Sequence, residues 1–426
     1  MTIPSSCLVP VGDIRTALGI IASTWGTPTY VYDGGRIKSQ FDRLSTALGT
    51  IPHLICYAMK AASNIGLLQY IGSLGAGFDI VSGGELARVV AAGGDLNTVV
   101  FAGVGKSDEE IRQALIAGVR SINVESVSEL TRVAAIAAEL GRVAPVCLRV
   151  NPAVDVETHP YLATGLKTSK FGIPIDEIVT VVDSEIKGVA SLSLIGLSCH
   201  IGSQINDVVP LRNAYSQVFA LADCLSAKGY SIHTVDLGGG FGVSYSGTYT
   251  PLDLDQFSSM LHEVHGGRPY TVLVEPGKFL VGEAGLLLSS VVRTKTNGER
   301  SFVVLDAGMN DLLRPALYEA YHRIVPLRCY DQSDQESAHE RIVDIVGPVC
   351  ESGCTFGTER PFPTVEDGEV VVICDAGAYG FTMASNYNSR CLPAEVLLLA
   401  SGEAHLIRER EAYEDLWRKE RLLAPR

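Results

Sequence analysis

The sequence predicts an α/β protein built as a (β/α)₈ TIM-like barrel with a second, mainly β C-terminal domain that also takes an N-terminal strand. Three observations lead there. With 426 residues the chain exceeds any single small module. From about residue 54 to 276 one pattern repeats: a short apolar, β-branched run, a polar turn, a helix-periodic segment, then the next run. After about Gly282 the pattern gives way to apolar runs joined by turn-rich segments with few convincing helices.

The barrel runs, in order, are Leu54–Met59, Gly77–Val81, Thr98–Ala102, Ser121–Val124, Pro145–Val150, Leu194–Cys199, Thr234–Leu237 and Thr271–Val274. Segments between them, such as Gly84–Ala92 and Ser107–Ala117, carry apolar residues at helical spacing with Ser or Asp near their starts, as helix N-caps prefer. Eight strand-plus-helix units favour a closed parallel barrel over an open doubly wound sheet. The second domain is read from Leu286–Val292, Ser301–Leu305, Arg341–Val346, Glu369–Cys374 and Ala394–Leu399. Pro28–Tyr32 is β-prone without a local partner, so it is expected to join a sheet elsewhere, and the charged tail Glu409–Leu423 reads as a solvated helix. The expected boundaries are 37–282 for the barrel, and 1–36 with 283–426 for the β domain.

Hydrophobic residues make up 46% of the chain and charged residues 19%, which suits a packed core and not a disordered chain. The 34 Lys and Arg against 48 Asp and Glu leave a net charge of −14, which argues against nucleic acid or an acidic membrane as partner and for a small molecule. No apolar stretch approaches the roughly 18 residues of a membrane span, and Met1–Gly12 lacks the pattern of a secretory signal. The ten cysteines are scattered, mostly in apolar runs. Reduced thiols and a cytoplasmic location are therefore expected.

In such a barrel the reactive groups gather at the C-terminal ends of the strands. Here stand Lys60 after the first, Asp79 and Ser82 at the second, Arg149 and Asn151 at the fifth, His200 at the sixth, Gly238–Gly240 after the seventh and Glu275 after the eighth. Each singly has a plain structural reading; convergence on one rim is what a reaction centre requires. The loops after strands seven and eight, the usual phosphate position, read Gly238-Gly239-Gly240-Phe241-Gly242 and Glu275-Pro276-Gly277-Lys278. Consecutive glycines let backbone amides approach a phosphate, and a lysine adds a point charge. The glycine run does not fit the dinucleotide fingerprint. A lysine for a Schiff base, a carboxylate to keep a pyridine nitrogen protonated and a phosphate cradle together meet the needs of pyridoxal 5'-phosphate (PLP).

Tyr57-Ala58-Met59-Lys60-Ala61, Cys199-His200-Ile201-Gly202-Ser203, Gly238–Gly240, Glu275-Pro276-Gly277, Cys350-Glu351-Ser352 and Gly377-Ala378-Tyr379-Gly380 resemble the signatures of the fold-type III PLP-dependent decarboxylases. His159-Pro160-Tyr161 through Lys170-Phe171-Gly172, Arg314-Pro315-Ala316-Leu317-Tyr318 and Met383-Ala384-Ser385-Asn386-Tyr387-Asn388 resemble the branch that acts on meso-diaminopimelate, not the ornithine or arginine branches. The resemblance spans about Thr27 to Leu416. It implies that Lys60 holds the cofactor, Asp79 lies near it, His200 stacks on the ring, and Glu275 pairs with the pyridine nitrogen. Ser203, Gly238, Gly239 and Gly240 would bind phosphate with Tyr379, and Gly277 and Lys278 would belong to the same cofactor site. Arg314 and Tyr318 would bind the substrate's distal carboxylate, Glu351 its distal ammonium, and Cys350 would be the proton donor, with Lys278 and Tyr379 also facing the substrate. Cys350 and Glu351 would come from the partner subunit of a homodimer with shared sites.

Two positions depart from the family pattern. Lys278 stands where Arg is usual, and lysine cannot make the planar bidentate contact of a guanidinium. Ala62 replaces the usual Asn. Weaker candidates read as structural: His262 and His265 lack a third histidine, Cys350 and Cys354 lack a second pair of zinc-spaced ligands, and Glu125 and Glu129 suit a helix start. No metal site is expected. Other activities remain as alternatives: decarboxylation of ornithine, arginine or a modified amino acid, a PLP racemase, a non-catalytic regulatory homologue, or a cofactor-free barrel aldolase using Lys60. Glu275 argues against the racemase, since alanine-type racemases hold the pyridine nitrogen with an arginine.

Overall fold

The computed structural model describes residues 4–154, 170–245, 247, 249–330 and 340–423. The chain divides into two compact units, one of Lys38–Ser244 with Thr250–Leu280, the other of Met1–Ile37, Tyr245–Tyr249 and Val281–Arg426.

The first unit is a closed parallel barrel. Its strands are β1 (His53–Ala58), β2 (Gly77–Ile80), β3 (Val99–Phe101), β4 (Ser121–Val124), β5 (Ala144–Asn151), β6 (Leu192–Ser198), β7 (Thr234–Asp236) and β8 (Thr271–Val274). Each pairs in parallel with its neighbours, and Val272↔His53, Leu273↔Leu54 and Val274↔Ile55 close the ring. All eight expected runs are present, within two residues at each end. Cys56, Val100 and Leu273 from β1, β3 and β8 pack as an apolar cluster, since β-branched and small side chains pointing inward must fill the barrel. Helices start where a short polar side chain can accept an otherwise orphaned backbone N–H. Asn64, Ser82, Ser107, Ser126, Asp207 and Asp253 cap Ile65–Ser73, Gly83–Ala91, Asp108–Ala117, Val127–Glu139, Val208–Ala227 and Leu254–His265 in this way.

The second unit is a mixed sheet in the order Ser6–Leu8, Glu403–Arg408, Ala394–Leu398, Thr29–Asp33, Gly285–Asn297, Arg300–Leu305, Glu340–Val346 and Thr355–Pro363. The N-terminal strand Thr29–Asp33 inserts between Gly285–Asn297 (antiparallel) and Ala394–Leu398 (parallel), as expected of a β-prone run lacking a local partner. Helix Ile14–Trp25 lays Ala17, Leu18, Ile21, Ala22 and Trp25 against Val31, Leu286, Leu288, Val372, Val396 and Leu398. Two strands lie outside the expected runs, and the expected tail helix needs correction. Thr355–Pro363 is a strand that its glycine and prolines disguise; among the described strands it pairs only with Glu340–Val346, and an edge tolerates residues without a ladder N–H. Glu403–Arg408 is likewise a strand. The tail is helical only over Tyr413–Trp417.

No described helix is long and apolar enough to cross a membrane.

Candidate active site

Polar residues in a packed barrel need partners, and at the C-terminal ends of β1, β2, β7 and β8 those partners are one another. Half-buried Lys60 follows β1, and its Nζ lies 2.8 Å from Oδ2 of fully buried Asp79 on β2. The other oxygen, Asp79 Oδ1, is buried with no hydrogen-bond partner among the described residues. A buried carboxylate oxygen left bare is costly unless something else occupies the space beside it.

Glu275, directly after β8, is buried. Burial, with the charges of Asp236 and Asp79, raises its pKa well above the ordinary carboxylate range against the pull of Lys60. Asp236, at the end of β7, shares a hydrogen bond with it, and its own pKa is raised by burial. Asp236 is in turn held by two donors, Gly238 N–H to Oδ1 at 3.0 Å and Asn123 Nδ2 to Oδ2 at 3.1 Å, while Ser121 Oγ donates to Asn123 Oδ1 at 3.2 Å. The acid with the higher affinity keeps the proton, so Glu275 carries a hydrogen and Asp236 accepts it.

The glycine loop is shaped by crowding. A Cβ on Gly238 would meet Cys199 O at 2.5 Å, on Gly239 Glu275 O at 2.1 Å, and on Gly240 Gly202 O at 2.3 Å, so no side chain fits at any of the three. Two of the amides are already used: Gly238 N–H by Asp236, and Gly239 N–H by His200 Nδ1 at 3.1 Å. Gly240 N–H donates to no described residue, so of the three amides expected to cradle a phosphate this one stays open. The bond from Gly239 leaves His200 Nδ1 without a hydrogen. Burial and the charges of Arg149 and Lys60 hold its pKa well below the ordinary imidazole value, so the ring is neutral. Ser203 lies in the loop whose Ile205 N–H donates to Gly240 O at 2.8 Å, which keeps the two loops together. A Cβ on Gly277 would lie 3.3 Å from Ala58 and Ala61, which flank Lys60, and Lys278 opens the short helix Lys278–Val281.

Other rim residues support this group. Arg149 on β5 pairs with buried Glu125 at 2.6 Å and stacks 4.6 Å from the Phe171 ring, and Glu125 also accepts from Gly172 N–H. Ser82 caps its helix, and Asn151 Nδ2 donates to Phe171 O. Glu129 binds buried Lys106 at 2.7 Å. The His159-Pro160-Tyr161 motif lies outside the described residues.

The second unit holds the remaining candidates. Arg314, buried, opens helix Arg314–Tyr318, whose last residue Tyr318 is exposed. Tyr379 is half-buried and follows strand Val370–Ile373. Cys350 and Glu351 stand exposed on the turn between Glu340–Val346 and Thr355–Pro363, where Asn388 Oδ1 accepts from Cys350 N–H and Tyr387 OH donates to Glu351 at 3.2 Å. His262 and His265 do not converge: His262 Nδ1 pairs with Ser258 O, and buried His265 with Tyr270 O. Cys354 is buried and accepts from Met309 N–H.

Asp236, Asn123 and His322 are the polar residues the motifs passed over. Asp236 was legible in principle, as an acid inside an otherwise apolar strand.

A half-buried lysine, an acid kept protonated, a bare carboxylate oxygen and a glycine loop with one open amide fit PLP. The family described as "Pyridoxal-dependent decarboxylase, pyridoxal binding domain" matches residues 34–282, and the chain belongs to that family. Relatives over nearly the whole length include diaminopimelate decarboxylases. That of Pseudomonas aeruginosa is 47% identical over 408 residues, covering 96% of each chain, and that of Neisseria meningitidis serogroup B is 45% identical, covering 92% of this chain and 93% of the other. The crystal structure of diaminopimelate decarboxylase from Helicobacter pylori complexed with L-lysine is 40% identical with a TM-score of 0.88, covering 95% of this chain and 99% of that one.

Proposed function

We propose that this chain decarboxylates meso-2,6-diaminopimelate to L-lysine and CO₂ with PLP as cofactor. The observation that carries the reading is the cluster of Lys60, Asp79, Asp236 and Glu275, an amine and a protonated acid in one buried polar group. When bound, PLP supplies an electron sink for the electron pair that the departing carboxylate leaves behind. Lys60 would hold it. Asp79 takes the charge of Lys60 Nζ and has its second oxygen left for the cofactor side of the site. Glu275 would pair with the pyridine nitrogen and keep it protonated, with Asp236 as the second acid that a hydrogen bond links to Glu275. His200, neutral, would stack on the ring without adding a charge that competes with the sink.

Gly240 and Ser203 bind phosphate, with Gly238 and Gly239 shaping the loop, and Gly277, Lys278 and Tyr379 completing the cofactor contacts. Arg314 and Tyr318, with Lys278 and Tyr379, take the distal carboxylate, and Glu351 the distal ammonium. As the C–CO₂ bond breaks, one proton must replace the carboxylate at the same carbon, and the Cys350 thiol delivers it. Cys350 and Glu351 are exposed on their own chain, which suits residues that complete a partner's site in a homodimer. Residues 37–282 are assigned as the cofactor-binding domain, and 1–36 with 283–426 as its β companion. Ten free thiols suit a reducing compartment such as the cytoplasm.

Borohydride treatment of the holoenzyme, followed by peptide mapping, is expected to fix the cofactor on the peptide containing Lys60. Attachment at another lysine sinks the assignment. On the same preparation kcat/KM for meso-diaminopimelate is expected to exceed that for ornithine by about 10⁴, because ornithine leaves a buried guanidinium unpaired. Comparable rates reject the substrate.

A further inference from the structure

Arg314 is 8% exposed, and its guanidinium stays charged at any working pH. A buried charge is ordinarily met by a carboxylate. Among the described residues Arg314 has none. Its two partners are neutral: Nη1 lies 3.2 Å from His322 Nε2, and the guanidinium carbon lies 4.5 Å from the centroid of the Tyr245 ring.

His322 is fully buried, and its other ring nitrogen, Nδ1, lies 2.9 Å from Cys374 O. A carbonyl only accepts, so Nδ1 carries the hydrogen; a guanidinium only donates, so Nε2 is bare. That assignment is the neutral tautomer, and a second proton would set an N–H against the guanidinium. Burial and the charge of Arg314 push the imidazole pKa down to about 3, so the acceptor survives across the working range. The backbone is pinned too, since Arg360 Nη1 donates to His322 O at 2.6 Å.

We propose that His322 is a positioning residue that aims the Arg314 guanidinium through a neutral hydrogen bond and so leaves its full positive charge for the carboxylate at the far end of the substrate. The proposal rests on the reading of Arg314 as the distal-carboxylate ligand. A carboxylate at position 322 would aim the guanidinium equally well but would neutralise it. A purely structural partner has no need to be uncharged, and this difference separates the two accounts.

The probes are L-lysine, which keeps the distal amino-acid end, and cadaverine, the same chain without that carboxylate. Their dissociation constants are measured calorimetrically on the holoenzyme. His322→Gln, which keeps a neutral acceptor, is expected to hold the preference for lysine over cadaverine within about threefold of the parent. His322→Glu, nearly identical in shape, is expected to weaken lysine at least about tenfold relative to His322→Gln while cadaverine moves less than about threefold. KM for meso-diaminopimelate should follow lysine, with kcat changed less. Should His322→Glu not fold, His322→Leu, which has no acceptor, decides: it too should lose about tenfold in lysine preference. Equal preference in the Gln and Glu variants, or an unchanged Leu variant, overturns the proposal if Arg314→Leu still abolishes the preference. If Arg314→Leu keeps it, the reading of Arg314 itself fails, and the role of His322 with it.

Discussion

Two acids that feel the charge of Lys60, Glu275 and Glu85, have pKa values raised above the ordinary carboxylate range. Glu85, in the first turn of Gly83–Ala91, accepts from Val81 N–H at 2.6 Å, but burial and the charge of Asp79 outweigh that bond and the pull of Lys60, raising its pKa to about 7. Folding therefore takes up a proton between pH 4.5 and 7. The unfolded chain binds fewer protons than the folded one in that window, so stability falls as pH rises from about 4.5 and levels off above about 7. Glu85→Gln removes the titrating group. Urea unfolding of the cofactor-free protein at pH 5, 6, 7 and 8 should show the variant gaining on the parent with rising pH, and a difference constant with pH would refute the assignment.

At the level of elements, each rim loop is held by contacts that the strand ends impose on it. Gly239 lies between β7 and β8, where a Cβ would fall 2.1 Å from Glu275 O, so Gly239→Ala must move the backbone of Glu275. The expected result is loss of bound cofactor absorbance with a fall in stability of about 3 kcal/mol or more, as for other overpacked sites. Gly105→Ala, with nothing within 4 Å, should be near neutral, and equal effects at both positions would contradict the crowding account. The helices show a milder version of the same logic. Ser107 and Glu110 form a reciprocal capping box on Asp108–Ala117, and Glu110 Oε1 also accepts from Gly83 N–H of the preceding helix. Ser107→Ala should cost about 1 kcal/mol in urea unfolding with cofactor still bound.

For the whole molecule the decisive question is whether one chain can complete its own site. Lys60 belongs to the barrel unit, and Cys350 to the other, on an exposed turn. If Cys350 serves a partner's site, Lys60→Ala and Cys350→Ala, each inactive alone, should recover about a quarter of the parent activity when mixed and allowed to exchange. Half the dimers would then be hybrids with one intact site of two. Absence of recovery with subunit exchange proven would place Cys350 elsewhere in the scheme.

The barrel was readable from the chain because its information is local and periodic. A β-branched run of four to six residues, a helix-periodic segment and the next run repeat along the barrel, and each unit needs only its neighbours to close. The groups with distinctive chemistry, Lys60, Asp79, His200 and Glu275, were readable because they stand at the ends of those runs. What depended on distant parts of the chain meeting was not. Asn123 binds Asp236 across 113 residues, and His322 binds the carbonyl of Cys374 across 52, so nothing near either residue announces the pairing. The glycine run promised three open amides; two are spent on Asp236 and His200, because the same crowding that excludes side chains brings those acceptors within reach. Proline-bearing Thr355–Pro363 is a strand only because it lies at the edge of a sheet. Sequence periodicity thus settled which elements form and which polar groups stand at their ends, whereas protonation, orientation and the use of each donor were settled by tertiary packing, because a buried polar group takes its state from whatever the fold brings within hydrogen-bond distance.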